Sequence, residues 1–226
     1  MRLRIFTLLG LAAVSLPAVA QARHDTQLWG GGSATVKLGD RFRVSQDITV
    51  RLSDNRHGLY EVELNTLLGY ALTKDVVVWA GYTHDPNYTG GDFAVMEHRG
   101  RQQITVDNIL KIGRGTVSGR VRLEQRWREH IEGTAWRLRP FVRFRLPLAQ
   151  GGRTMLVLSH ESFIDLDRTS FQTVQGEERM RNLVALSVPI AKQVDAEIGY
   201  LNQHAFIRHG PDNDDNVASV ALNLSF

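Results

Sequence analysis

His160 and Ser162 stand two positions apart in the stretch Leu156-Val157-Leu158-Ser159-His160-Glu161-Ser162-Phe163-Ile164. In an extended chain alternate residues share a face, so the imidazole and the hydroxyl lie side by side. An imidazole that takes the hydroxyl proton turns serine into a nucleophile. A third group has to orient the imidazole, and the sequence fixes no Asn, Asp or Glu for that task. The opposing reading makes both of them polar residues at a membrane rim, with no catalysis, and on the residues alone it is preferred.

The second chemistry is electrostatic. Arg120, Arg122, Arg126, Arg128, Arg137, Arg139, Arg143 and Arg145 fall on one face of two adjacent alternating segments. Arg99 and Arg101 precede them, and Arg179 and Arg181 follow. Acidic residues on matching faces are Glu61, Glu63, Glu97, Asp107, Glu124, Glu161, Glu177, Asp195 and Glu197. Arginine suits an ion-pair network because its planar fork makes two bonds to one carboxylate and keeps its charge. The alternative is an anion path or a site for an acidic solute; the near-equal number of carboxylates favours the network.

Other candidates are weaker. Asp212-Asn213-Asp214-Asp215-Asn216 offers oxygen ligands for calcium but lacks the glycine and terminal glutamate of a helix-loop-helix site; a solvated loop is the preferred reading. Gly30-Gly31-Gly32 has no strand-to-helix setting and makes no phosphate loop. His204 and His209 flank a loop and are expected to be exposed. No metal and no cofactor are expected. The chain has no cysteine, so disulfides and thiolate zinc are excluded.

The elements that position these residues are strands. Thr116 to Arg128 alternates strictly: Val117, Gly119, Val121, Leu123, Gln125 and Trp127 on one face, Ser118, Arg120, Arg122, Glu124, Arg126 and Arg128 on the other. Trp136 to Leu146 repeats this, with Arg137, Arg139, Arg143 and Arg145 opposite the apolar set. Tyr60, Val62, Leu64, Leu68 and Tyr70 oppose Glu61, Glu63 and Asn65. Eleven such segments run near 27–37, 41–53, 59–72, 75–85, 96–112, 115–129, 135–147, 153–165, 177–189, 193–207 and 215–226. Short turns rich in Gly, Asp and Lys alternate with longer polar connections around 54–58, 86–95, 165–175 and 208–214. A soluble β-sandwich also alternates, but its strands are about 5–6 residues long. These are far longer, and their polar face is too charged. The expectation is an all-β transmembrane antiparallel barrel of about ten to twelve strands, its apolar face turned to lipid and its charged face to the lumen. Even strand counts are usual in bacterial barrels. Eleven segments therefore imply either ten, with the glycine-rich 27–37 left out, or twelve, with one missed.

The first twenty residues read as a signal peptide. Arg2 and Arg4 form a positive start, Ile5 to Val14 an apolar core, and Ala18-Val19-Ala20 a cleavage site, with Ala20-Gln21-Ala22 a second option. An apolar run of about ten residues is too short for a helical span of the roughly 30 Å hydrocarbon core. Residues 21–226 form the barrel. Loss of Arg2 and Arg4 leaves 25 basic against 24 acidic residues, so a dedicated nucleic-acid partner is not expected. The expected location is the outer membrane of a Gram-negative cell. The expected partners are outer-membrane lipid and, through the terminal Leu222-Asn223-Leu224-Ser225-Phe226, the assembly machinery that recognises a final strand ending in Phe226.

The segments Glu97-His98-Arg99, Arg122-Leu123-Glu124-Gln125-Arg126, Arg137-Leu138-Arg139, His160-Glu161-Ser162-Phe163, Glu178-Arg179-Met180-Arg181-Asn182 and Gly199-Tyr200-Leu201-Asn202-Gln203, with the opening Gln27-Leu28-Trp29, resemble a family of bacterial outer-membrane barrel proteins known only as a domain of unknown function. The likeness runs in order through nearly the whole chain after the signal. It implies fold and location, and no catalytic residues. The His-x-Ser pair on an outward face separately resembles outer-membrane phospholipases and lipid A deacylases; the rest of the chain does not look like either.

Overall fold

The computed structural model describes residues 22–226. The segment 1–20, read above as a signal peptide, lies outside the described residues. Eleven strands follow in order: β1 (Arg23–Leu38), β2 (Phe42–Ser53), β3 (Gly58–Ala71), β4 (Val76–Thr89), β5 (Asp92–Ile112), β6 (Gly115–Arg128), β7 (Ile131–Pro147), β8 (Met155–Asp165), β9 (Gly176–Ala191), β10 (Val194–Ala205) and β11 (Asn213–Ser225). Each of the eleven alternating segments is a strand. Sequence neighbours pair antiparallel, and β1 meets β11 to close the sheet into a barrel.

The closure explains the odd count. Up-and-down strands in odd number leave the first and last pointing the same way, so one seam must be parallel. Here β1 and β11 run parallel from Arg23↔Asn213 to Thr35↔Ser225. Neither ten nor twelve is correct, and the glycine-rich 27–37 is a full member of the wall, paired on its other side from Gln27↔Ser53 to Leu38↔Phe42. The final residue joins this seam: Phe226 N–H donates to the Thr35 carbonyl at 3.0 Å, and Lys37 N–H to the Phe226 carbonyl at 3.2 Å.

Two of the expected long connections are tight. Strands β4 and β5 pair as far as Thr89↔Asp92. Gly90 and Gly91, both at positive φ, make the turn that residues with a Cβ would strain to make. The connection after Ser53 spans only 54–57. The long connections at that end of the barrel, termed here the loop end, are 166–175 and 206–212.

Alternation sends apolar side chains outward all round the wall. Leu68, Val121, Val142, Val184, Ile198 and Val220 are each about half exposed, as are Trp127 and Trp136. Inward positions carry the buried charge, including Glu63, Arg101, Glu124 and Arg139. A smaller apolar patch of Trp29, Leu201 and Val217, packed against Leu183, lines the lumen beside the seam. Tyr60 departs from the expected outward face. The β2–β3 register shifts at Arg51/Leu52, so Leu52 pairs Leu59 while Arg51 pairs Glu61. That bulge turns Tyr60 inward, where its hydroxyl donates to Gln27 Oε1 at 2.7 Å.

Candidate functional site

Three carboxylates organise the lumen. Glu124, fully buried on β6, accepts from Arg137 at 2.7 Å and Arg139 at 2.8 Å, with Arg101 at 3.3 Å and Arg122 at 3.6 Å. Glu97 on β5 holds Arg99 (2.7 Å), Arg126 (2.9 Å) and Arg128 (2.7 Å). Glu161 on β8 accepts from Arg139 at 3.0 Å and also from Arg120. Sequence neighbours on adjacent strands deliver these groups: Glu124 stands opposite Arg101 on one side and Arg137 on the other. Each arginine row thus meets an interleaved carboxylate, which keeps like charges on neighbouring strands from facing one another unrelieved.

Aromatic rings fill what charge does not. Phe163, 1 % exposed, projects inward from β8 with the guanidinium of Arg139 at 4.2 Å from its centroid and that of Arg181 at 4.5 Å. Trp29 stacks under Arg51 at 4.5 Å and Arg181 at 4.6 Å. Arg181 is held between these two rings and donates to Gln203 Oε1 at 2.8 Å. No carboxylate lies within 4 Å of it among the described residues.

The expected lumen charges are distributed as follows. Glu61 and Glu63 on β3 flank Arg51, and Glu63 also meets Arg99 at 3.3 Å and Arg101 at 3.5 Å. Arg143 pairs with Glu197, and Arg179 with Glu178 at 2.8 Å. Arg145 is exposed at the other mouth. Two acidic positions belong elsewhere: Asp107 and Glu177 are exposed. A register shift at Phe163/Ile164 places Glu177 opposite the outward Ile164, so Glu178 takes the inward role. Asp195 lies at the rim, 3.5 Å from Arg153. Besides Glu178, Arg51 and Asp85 were not anticipated, the latter wholly buried and paired with Arg99. Arg51 was legible as the inward alternate of β2; Asp85 sat in what read as the end of a strand.

Two cavities lie within the lumen. A cavity of about 220 Å³ opens toward the loop end, where Arg56 and Asn213 line it. A second, of about 280 Å³, lies on the other side, lined by Asp47, Arg143 and Glu197. Arg51, Glu63, Arg139 and Arg181 line both, and so stand where the two cavities meet.

On the outside of the wall, His160 and Ser162 share a face as expected, with His160 Nε2 3.1 Å from Ser162 Oγ. The third group is present. Asn182 on β9 stands directly opposite His160, and its Oδ1 is 2.8 Å from His160 Nδ1. Asn182 was missed because only the β8–β9 register brings it there. The signal available was its polarity at an outward position beside Arg181. The Asp212–Asn216 string does not converge: Asp214 turns outward to His204 at 2.8 Å, whereas Asp215 turns inward to Gln203 at 2.6 Å. His204 is tied to both Asp212 and Asp214 and is half-buried where it was expected to be exposed, whereas His209 is exposed.

Fold and lumen define a closed eleven-stranded β-barrel filled by an arginine–carboxylate cluster. The chain belongs to the family described as protein of unknown function (DUF2490), whose profile matches residues 26–214. It is 30 % identical over 220 residues to an uncharacterised protein of Methylorubrum extorquens, an alignment covering 96 % of this chain and 94 % of that protein. No solved structure matches.

Proposed function

We propose that the protein is an outer-membrane β-barrel whose lumen is shut by an ion-pair septum, so that it acts as a structural or interaction protein and not as an open pore. The single observation that carries this is the shared lining of the two cavities by Arg51, Glu63, Arg139 and Arg181. Membrane placement is supported by the large apolar side chains exposed all round the outer wall, since large exposed apolar surfaces mark protein or membrane contact. Full closure supports it too, because lipid tolerates no unpaired strand edge. Trp127 and Trp136 near the loop end and Phe42 and Tyr70 near the other end suit the two headgroup levels, where aromatic rings gather. The seam strand ending at Phe226 is the segment we assign to recognition by the assembly machinery.

The test is conductance in planar bilayers. Wild-type barrel, its folding verified by heat-modifiable migration, should be silent. Replacing Glu63 and Arg139 together by Ala keeps the net charge and removes two septum members, and should give steady ion current. Current through the wild type would overturn the closed reading in favour of passage of a small polar solute.

A further inference from the structure

We infer that Ser162, His160 and Asn182 form a catalytic triad on the outer wall that hydrolyses an acyl ester of a glycerophospholipid. This rests on the membrane placement proposed above, because the substrate is whatever lies against the wall.

The geometry supplies a nucleophile, a base and a group that orients the base. Asn182 Oδ1 accepts from His160 Nδ1–H, which fixes the tautomer with the Nε2 lone pair toward Ser162 Oγ. Asparagine fills the orienting position in papain-like triads, so the neutral amide is chemically adequate. Three adjoining polar residues on a lipid-facing surface are also costly, and intramembrane polar groups that persist generally serve function. Their neighbours along β8 on that face are Leu158 and Ile164.

Beside the triad lies a groove. It has a volume of about 340 Å³, is lined mainly by Ile104, Ile109, Val121, Pro140 and Val142, and has His160 and Ser162 at its edge. Its lip is built by an irregularity in β5. Between Val106↔Gly119 and Leu110↔Val117, three residues of β5 face one of β6. Asn108 takes a positive φ there, and Ile109 is thrown over Gly119. A Cβ at Gly119 would stand 3.0 Å from Ile109 Cδ1, so the absence of a side chain there lets Ile109 pack close over the strand. An apolar channel ending at a nucleophile fits one fatty acyl chain with its ester carbonyl at Ser162. Arg120 borders the groove but turns its guanidinium inward to Glu161, leaving no cation for a multiply phosphorylated glycolipid. A two-chain glycerophospholipid, one chain seated and one left in the bilayer, is the committed substrate.

The reaction balances. Ser162 Oγ attacks the ester carbonyl carbon while its proton passes to His160 Nε2. The ester C–O bond breaks, and the same proton goes to the departing lysophospholipid oxygen. Water then attacks the acyl-serine, gives a proton to His160 Nε2, and releases the fatty acid as Ser162 Oγ recovers that proton. Ser162 lies in the loop-end half of β8, three residues from Asp165, so water at the headgroup level is within reach. Asn182 is a positioning residue: it touches the imidazole and not the ester.

The experiment uses the refolded barrel with vesicles of phosphatidylethanolamine and phosphatidylglycerol, fatty acid release being measured by mass spectrometry. A parallel reaction uses a long-chain alkylsulfonyl fluoride, which marks an activated serine without turnover. Wild type should release fatty acid and be sulfonylated at Ser162. Ser162→Ala should lower release by about a thousand-fold or more and abolish labelling. Asn182→Ala should cut kcat about ten-fold or more with little change in KM and an altered pH profile, and Asn182→Asp should restore most of it. Equal release by wild type and Ser162→Ala, or no labelling of Ser162 in a barrel that shows heat-modifiable migration, overturns the triad while leaving the membrane reading intact. Release from lipopolysaccharide alone overturns the phospholipid assignment. Failure of the chain to fold in detergent overturns both readings.

Discussion

Polar residues occur in two settings in this barrel, and they answer to different physics. In the lumen, Glu97, Glu124 and Glu161 are each surrounded by two to four guanidinium groups, and strand pairing supplies the partners. Nearly all the charges there are met by opposite charge; Arg181 is met by the Trp29 and Phe163 rings and Gln203 instead. On the outer wall, Ser162, His160 and Asn182 are uncharged or titratable, stand among aliphatic side chains and satisfy only themselves. The contrast separates groups kept for stability from groups kept for another reason, and it can be attacked from either side.

The largest effect should come from the lumen. Glu124→Ala strands Arg101, Arg122, Arg137 and Arg139 around a lost carboxylate. Removing one partner of a buried pair costs about 3–5 kcal/mol, because the remaining charge is uncompensated. The loss should appear as a lowered denaturant midpoint for refolding into detergent, read by heat-modifiable migration. A midpoint equal to wild type would mean that the cluster is solvated and contributes little, and the distinction drawn above would fail.

A comparable charge on the wall should be the next most damaging. Leu158 projects outward from the middle of β8, on the same face as His160. Leu158→Arg places on the apolar face a residue type that the lumen holds in numbers. At the depth of a bilayer midplane this costs about 2–4 kcal/mol. The shift should appear in lipid vesicles and shrink in detergent micelles, which let the arginine reach water. Equal cost in both would indicate that the outer face does not meet hydrocarbon.

The barrel itself was legible because its strands alternate so strictly. Val117 to Arg128 reads as two faces with no interruption, and the structure puts Val121 outside and Arg122 inside as that reading requires. Alternation fails where a bulge inserts a residue, since one extra residue reverses the faces. Tyr60 and Glu177 were misplaced for that reason. The parallel seam was hidden because closure is a property of the count and not of either strand. The site was half legible. His160 and Ser162 share a strand, so their spacing is written in sequence. Asn182 reaches them only across a register set by the pairing of β8 with β9, twenty-two residues away.

The smallest stability effect should be the most informative. Replacing Ser162 by Val, His160 by Leu and Asn182 by Leu together converts the wall patch into the aliphatic surface around it. Three hydrogen-bonding groups are removed at once, so none is left unsatisfied, and such replacement is close to neutral or stabilising. The denaturant midpoint should hold or rise, by no more than about 1 kcal/mol, while fatty acid release disappears. A loss of stability approaching that of Glu124→Ala would show the trio to be a structural device of the wall. Unchanged stability with lost hydrolysis is what a site kept for chemistry predicts, since the fold then has no use for the residues that the reaction needs.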